Sequence, residues 1–159
     1  MSPYAKVTSA LVLASCLALP GLAQKETPPA GGQPKNFVLP AQRNFTLDNG
    51  LTVTLVQFGD VPKVTVSLAV RAGNIDEAAD QVWLADLTGQ LMKEGTTSRS
   101  ARQLAEQAAA MGGQVDISVG PDQTTVTGDV LSEFAAGLVE LVADVSLNPL
   151  LPQSEIERL

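Results

Sequence analysis

The chain has 159 residues, 17 acidic against 10 basic side chains, a net charge of −7 and no histidine. Without histidine, Ser-His-Asp and Cys-His catalysis and any histidine-ligated metal within this chain are excluded. The acidic balance argues against nucleic acid as a partner, because neutralising phosphates takes clustered Lys and Arg. Its plainest consequence is a solvated surface.

Residues 1–23 read as an export signal. Lys6 supplies the positive n-region, and Val7 to Leu19 is an apolar run broken only by Thr8, Ser9, Ser15 and Cys16. Gly21 and Ala23 then place small residues at −3 and −1 before Gln24. The run is shorter than the roughly 20 apolar residues of a membrane span. The expected destination is the periplasm. A second reading takes Leu13-Ala14-Ser15-Cys16 as a bacterial lipobox, with Cys16 as the point of lipid attachment and the protein anchored to a membrane. The apolar run continues past Cys16, which favours cleavage after Ala23 and a mature chain without cysteine.

Residues 24–42 form a linker. Its centre, Thr27 to Pro34, is rich in Pro and Gly and has no hydrophobic period, so it reads as an extended or disordered tether. The folded part is expected over residues 43–159. Phe45 and Leu47 alternate with polar residues, and Asp48-Asn49-Gly50 predicts a tight hairpin turn of the two-residue type. Leu51, Val53 and Leu55 then predict a strand buried on one face. Val64, Val66, Leu68 and Val70 alternate with polar or small residues and predict a third strand, closed by Ala72-Gly73-Asn74.

The stretch from Gln81 to Thr96 predicts the first helix. Trp83, Leu87 and Leu91 recur at i, i+4 and i+8; Asp80 is positioned to cap the start, and Gly95 to end it in the left-handed conformation. Ser100 with Gln103 predicts a capping box for a second helix bearing Leu104, Ala108 and Met111, stopped by Gly112-Gly113. A second hairpin follows, with Val115, Ile117 and Val119 on one arm, Gly120-Pro121-Asp122 at the turn, and Thr124 to Val130 returning. Leu131, Phe134, Leu138, Leu141, Val142 and Val145 predict a third helix, ending at Asn148-Pro149. Pro152 predicts the start of another, with Ser154, Glu155 and Glu157. That last helix has neither a C-terminal cap nor an apolar stripe before Leu159, so the chain is expected to be the N-terminal part of a longer polypeptide. The order β-β-β-α-α-β-β-α predicts an α+β fold, an antiparallel sheet with helices packed on one face.

Five segments, in register, resemble the pitrilysin/insulinase family of zinc metallopeptidases. They are Phe45 to Val53, Val70 to Glu77, Glu94 to Ser100, Met111-Gly112-Gly113, and Leu147-Asn148-Pro149 with Leu151-Pro152. The resemblance covers residues 43–159 and implies an incomplete insulinase-like peptidase domain. In active members the first helix carries H-x-x-E-H, in which two histidines bind zinc and the glutamate is the general base. Counting back from Gly95-Thr96, Asp86 stands at the first histidine, Gly89 at the glutamate and Gln90 at the second histidine. All three are replaced, so no catalytic, cofactor or metal residue is expected in this chain. Zinc is expected only in an active partner or a later domain.

The resemblance implies a non-catalytic subunit or half that binds extended peptides and pairs with an active metallopeptidase, a catalytic subunit or the second half of a clamshell. Two other readings stand beside it. The chain could be the inert N-terminal segment of a longer zinc metallopeptidase, or a secreted α+β binding module unrelated to that family. Asp76, Glu77, Asp80 and Asp86 cluster near the first helix. Their position in a polar turn and at a helix N-terminus favours a structural role over paired-carboxylate chemistry. Trp83 is expected in the core or an interface. Gly31-Gly32 and Gly112-Gly113 lack the strand-turn-helix setting of a phosphate loop.

Overall fold

The computed structural model describes residues 31–32, 36 and 38–158, and these fall into two compact units, with the chain boundary between Val56 and Gln57. The export signal, Cys16 and most of the tether lie outside the described residues. Among the described residues no helix is long and apolar enough to cross a membrane.

The first unit is a β-hairpin. β1 (Gln42–Thr46) pairs antiparallel with β2 (Thr52–Val56), from Gln42 opposite Val56 to Thr46 opposite Thr52. Leu47 and Leu51 close the turn through a 2.9 Å bond from the Leu47 N–H to the Leu51 carbonyl. The turn is therefore a three-residue loop, Asp48 to Gly50, rather than the expected two-residue one. Only Gly50 takes a positive φ, +86°, as such a loop requires at its last position. The Asn49 side chain instead accepts from the Leu51 N–H at 3.1 Å. Val53 is half-buried, whereas Leu51 and Leu55 are exposed, so the buried face expected of this strand is reduced to one residue.

The second unit holds the core. β5 (Thr124–Leu131) is the central strand of a three-stranded antiparallel sheet, with β3 (Lys63–Val70) on one side and β4 (Gln114–Val119) on the other. Period-two alternation sends Val64, Val66 and Leu68, Val126 and Val130, and Val115 and Ile117 to one face. The opposite face is polar, with a 2.8 Å Lys63–Asp129 ion pair and a 3.0 Å Ser67–Thr127 hydroxyl contact. The apolar face is covered by α1 (Leu84–Met92), α2 (Ala101–Ala110) and α3 (Ala135–Leu147) through Met92, Ala108, Leu138, Leu141, Val142 and Val145. This is the α+β layer arrangement. Each fully buried aliphatic side chain contributes about 1.5–3 kcal/mol. Gly128 sits in the middle of β5 opposite both Val66 and Val115, and the Leu138 side chain fills the space its missing Cβ leaves.

α2 begins as its sequence predicts. The Ser100 hydroxyl accepts from the Gln103 N–H, and the Gln103 side chain accepts from the Ser100 N–H at 2.9 Å. It ends at Met111, followed by Gly112 in the left-handed region. The third helix starts later than expected. Leu131 stays in β5, paired with Lys63, and Ser132–Phe134 form a single 3-10 turn before α3. Strand pairing outweighs helical periodicity there. After Pro152 a 3-10 turn at Gln153–Glu155 replaces the expected helix within the described residues. α1 stops at Met92 with Lys93 as its cap; Gly95, with φ +127°, bridges to Ser100 instead of ending the helix.

Candidate functional site

α1 carries the three positions that the family motif singles out, and its N-terminus differs from the sequence expectation. The helix begins at Leu84 rather than Gln81. Trp83 precedes it with φ +75° and ψ 7°, a left-handed conformation that costs an L-residue with a side chain roughly 1–2 kcal/mol. Asp80 does not cap it. The Glu77 carboxylate does, accepting from the Trp83 N–H at 2.9 Å and the Ala85 N–H at 2.8 Å. Wrapping the chain around Glu77 turns Trp83 outward, and it is 69 % exposed rather than part of the core. The inward face of α1 is Gly89, Leu91 and Met92.

The preceding turn, Asn74–Asp76, is docked on the β4–β5 turn by the Asn74 and Ile75 N–H groups, which donate to the Gly120 and Pro121 carbonyls at 3.2 and 2.8 Å. Its Asn74 side chain donates to Asp86 at 2.7 Å, and Asp76 accepts from the Gly73 N–H at 2.9 Å. Three of the four clustered acids, Asp76, Glu77 and Asp86, thus have structural hydrogen bonds.

Gly89 is buried against β4. A Cβ built on it would lie 2.5 Å from Val119 Cγ2, well inside contact distance. Gln90 is exposed, and with Asp86, Leu87 and Trp83 it lines an open groove along the outer side of α1. The residues at the motif positions are therefore a carboxylate already bonded to Asn74, a position without a side chain, and a carboxamide. This donor set does not fit a catalytic zinc, which keeps three protein ligands, and it includes no general base at residue 89. Among the described residues no three Cys, Asp or Glu side chains are gathered as a metal site would need.

A second polar cluster ties the loop after α1 to α3. The Asp144 carboxylate accepts from four groups: the buried Thr96 hydroxyl at 2.8 Å, the Ser98 hydroxyl at 3.1 Å, the Arg99 guanidinium at 2.6 Å and the Asn148 amide at 3.1 Å. Arg99 also donates to Gln107 of α2 at 3.0 Å. Burial pushes the Asp144 carboxyl up, but the bonds from Thr96, Asn148, Arg99 and Ser98 together outweigh it and hold the group below its ordinary value. Neither this cluster nor the Gly89–Val119 contact is visible as a short motif. Each joins residues far apart in sequence.

The family model for insulinase (peptidase family M16) matches residues 53–159. The chain belongs to the insulinase family. It is 29 % identical over 112 residues to an uncharacterised zinc protease of Rickettsia felis, covering 70 % of this chain and 27 % of that protein. It is 28 % identical over 123 residues to the mitochondrial-processing peptidase subunit alpha of Solanum tuberosum, covering 77 % and 24 %. The chain thus spans about a quarter of the length of the curated relatives it matches. Among solved structures it resembles pitrilysin, with a TM-score of 0.65, 28 % identity, and coverage of 75 % of this chain and 13 % of that one. The inactive domain of a Pseudomonas fluorescens peptidase of the same family shares the fold, with a TM-score of 0.66 at 19 % identity over 74 % of this chain and 29 % of that one. The recognised family and its partial coverage agree with the expectation from the sequence.

Proposed function

We propose that this chain is a non-catalytic insulinase-family component, exported to the periplasm, that binds extended peptides and pairs with a catalytic subunit or half. The observation that carries the proposal is the state of α1. The helix is retained and packed, while its motif positions hold Asp86, Gly89 and Gln90. In this reading zinc belongs to the partner, and export rests on residues 1–23. A relative that is itself a subunit, and a fold neighbour that is an inactive domain, support pairing with an active counterpart.

The peptide would add to the free edge of β4. Among the described residues β4 pairs only with β5. The 2.8 Å bond from the Gly120 N–H to the Gln123 carbonyl sets the phase of this ladder. By antiparallel alternation, Gln114, Asp116 and Ser118 bond to β5, and Val115, Ile117 and Val119 turn their N–H and C=O groups to the open edge. Such a row of unpaired groups is what strand addition uses.

A second reading rests on the coverage of relatives. A longer polypeptide containing this segment could carry an intact zinc motif in a later domain. The test is zinc content and peptidase activity of the chain, alone and mixed with candidate catalytic subunits. Peptide binding would be followed by the emission of Trp83, the single tryptophan. No zinc and no cleavage alone, with higher activity on mixing, is the expected result. Stoichiometric zinc with cleavage by the isolated chain would overturn it.

A further inference from the structure

The glycine at the central motif position is also a packing residue. Residue 89 faces β4, and an ideal Cβ there falls 2.5 Å from Val119 Cγ2 and 3.9 Å from both Val119 Cβ and Ile117 Cγ2. Unstrained carbon contacts are about 3.5–4.0 Å. Val119 is β-branched and sits on a strand, where its χ1 is restricted. Ile117, its neighbour on the same face, is buried in the core. A side chain at 89 can therefore be admitted only by moving α1 away from β4, by forcing Val119 out of its rotamer or by removing the Val119 methyl.

We infer that Gly89 and Val119 form a steric lock, so that within this segment Val119 joins Asp86, Gly89 and Gln90 as a position standing between the chain and a working motif. Asp86 and Gln90 line the open groove, where a larger side chain has room, although changing Asp86 gives up its bond from Asn74. Residue 89 cannot take a side chain without strain while Val119 keeps its present rotamer. The glutamate that the resemblance assigns to position 89 has no room. Restoring the motif residues alone would leave the helix displaced or the carboxylate misplaced.

The lock predicts a reversal of sign. In the full chain, Val119→Ala lowers the urea midpoint of unfolding, because it removes half-buried methyl groups packed against Gly89. In a Gly89→Ala background the same substitution raises the midpoint, because it relieves the clash. The Asp86→His/Gln90→His pair, placed i, i+4 on the groove face, gives up the Asn74 bond to Asp86, so its own midpoint is the reference for the variants built on it, and it binds Ni²⁺. Adding Gly89→Glu weakens Ni²⁺ binding by about tenfold, the effect typical of a metal ligand that loses its orienting support. Val119→Ala in that triple variant recovers the affinity. If Gly89→Glu prevents folding, the Gly89→Ala and Val119→Ala cycle decides the matter by itself. Equal lowering of the midpoint by Val119→Ala in both backgrounds would overturn the lock, as would a Gly89→Ala variant as stable as wild type.

Discussion

α1 and α3 cover the same face of one sheet, yet they are held in opposite ways. α3 is anchored by Leu138, Leu141 and Val145, each 2 % exposed or less, and its C-terminal half is bonded through Asp144 to four side chains. α1 buries a glycine, Leu91 and Met92, begins at a strained tryptophan, and relies on a carboxylate seven residues before its first residue for its cap. One helix is built for stability. The other keeps an exposed face along the groove. Binding surfaces come from regions with fewer buried contacts, and an observed backbone outlier is where a functional hypothesis can start.

The largest effect is expected at the centre of the α3 contact. Leu138→Ala, which empties the space over Gly128, should lower the unfolding free energy by about 3–4 kcal/mol in urea titration. If the cost is no more than that of an exposed leucine, α3 is not the anchor. Asp144→Ala comes next, at about 2–3 kcal/mol, because it strands Thr96 and the Arg99 charge. The folded-state pKa of Asp144 lies below its unfolded value. Its contribution is therefore complete above the unfolded pKa and disappears as pH falls through the folded one. Wild type should lose this stability below about pH 4, and Asp144→Asn should flatten that acid limb in pH-dependent melting.

Around α1 the effects are smaller, and one changes sign. Glu77→Ala should cost about 1 kcal/mol by removing the helix cap, with exchange protection lost first at Trp83 and Ala85. Trp83→Gly should stabilise the fold by about 0.5–1 kcal/mol, because glycine adopts the left-handed conformation without a Cβ penalty. If the same substitution also weakens the binding of a fluorescently labelled peptide, the groove is part of the binding surface and the strain at Trp83 is maintained for its side chain. A destabilised Trp83→Gly variant would mean that the exposed ring contributes packing.

The strands of the second unit, the Ser100–Gln103 capping box, the Gly112 stop and the family itself were legible in the sequence. Each is written in local spacing: alternation at period two, a cap three residues from its partner, a glycine where the backbone must turn left-handed. The failures share one cause. Trp83 fits a helical stripe by period, but Glu77 reaches back to cap the chain beyond it. Leu131 fits the third helix by period, but its pairing with Lys63 keeps it in β5.

The sequence by itself determined which residue types occupy the motif positions, since Asp86, Gly89 and Gln90 are covalent facts. Only the tertiary structure decided what replaced the missing chemistry. The closeness of Gly89 to Val119, the bond from Asn74 to Asp86 and the bonds on Asp144 from Thr96, Ser98 and Arg99 each join residues separated by 12 to 48 positions. Such contacts depend on how helices settle on a sheet, which local periodicity does not encode.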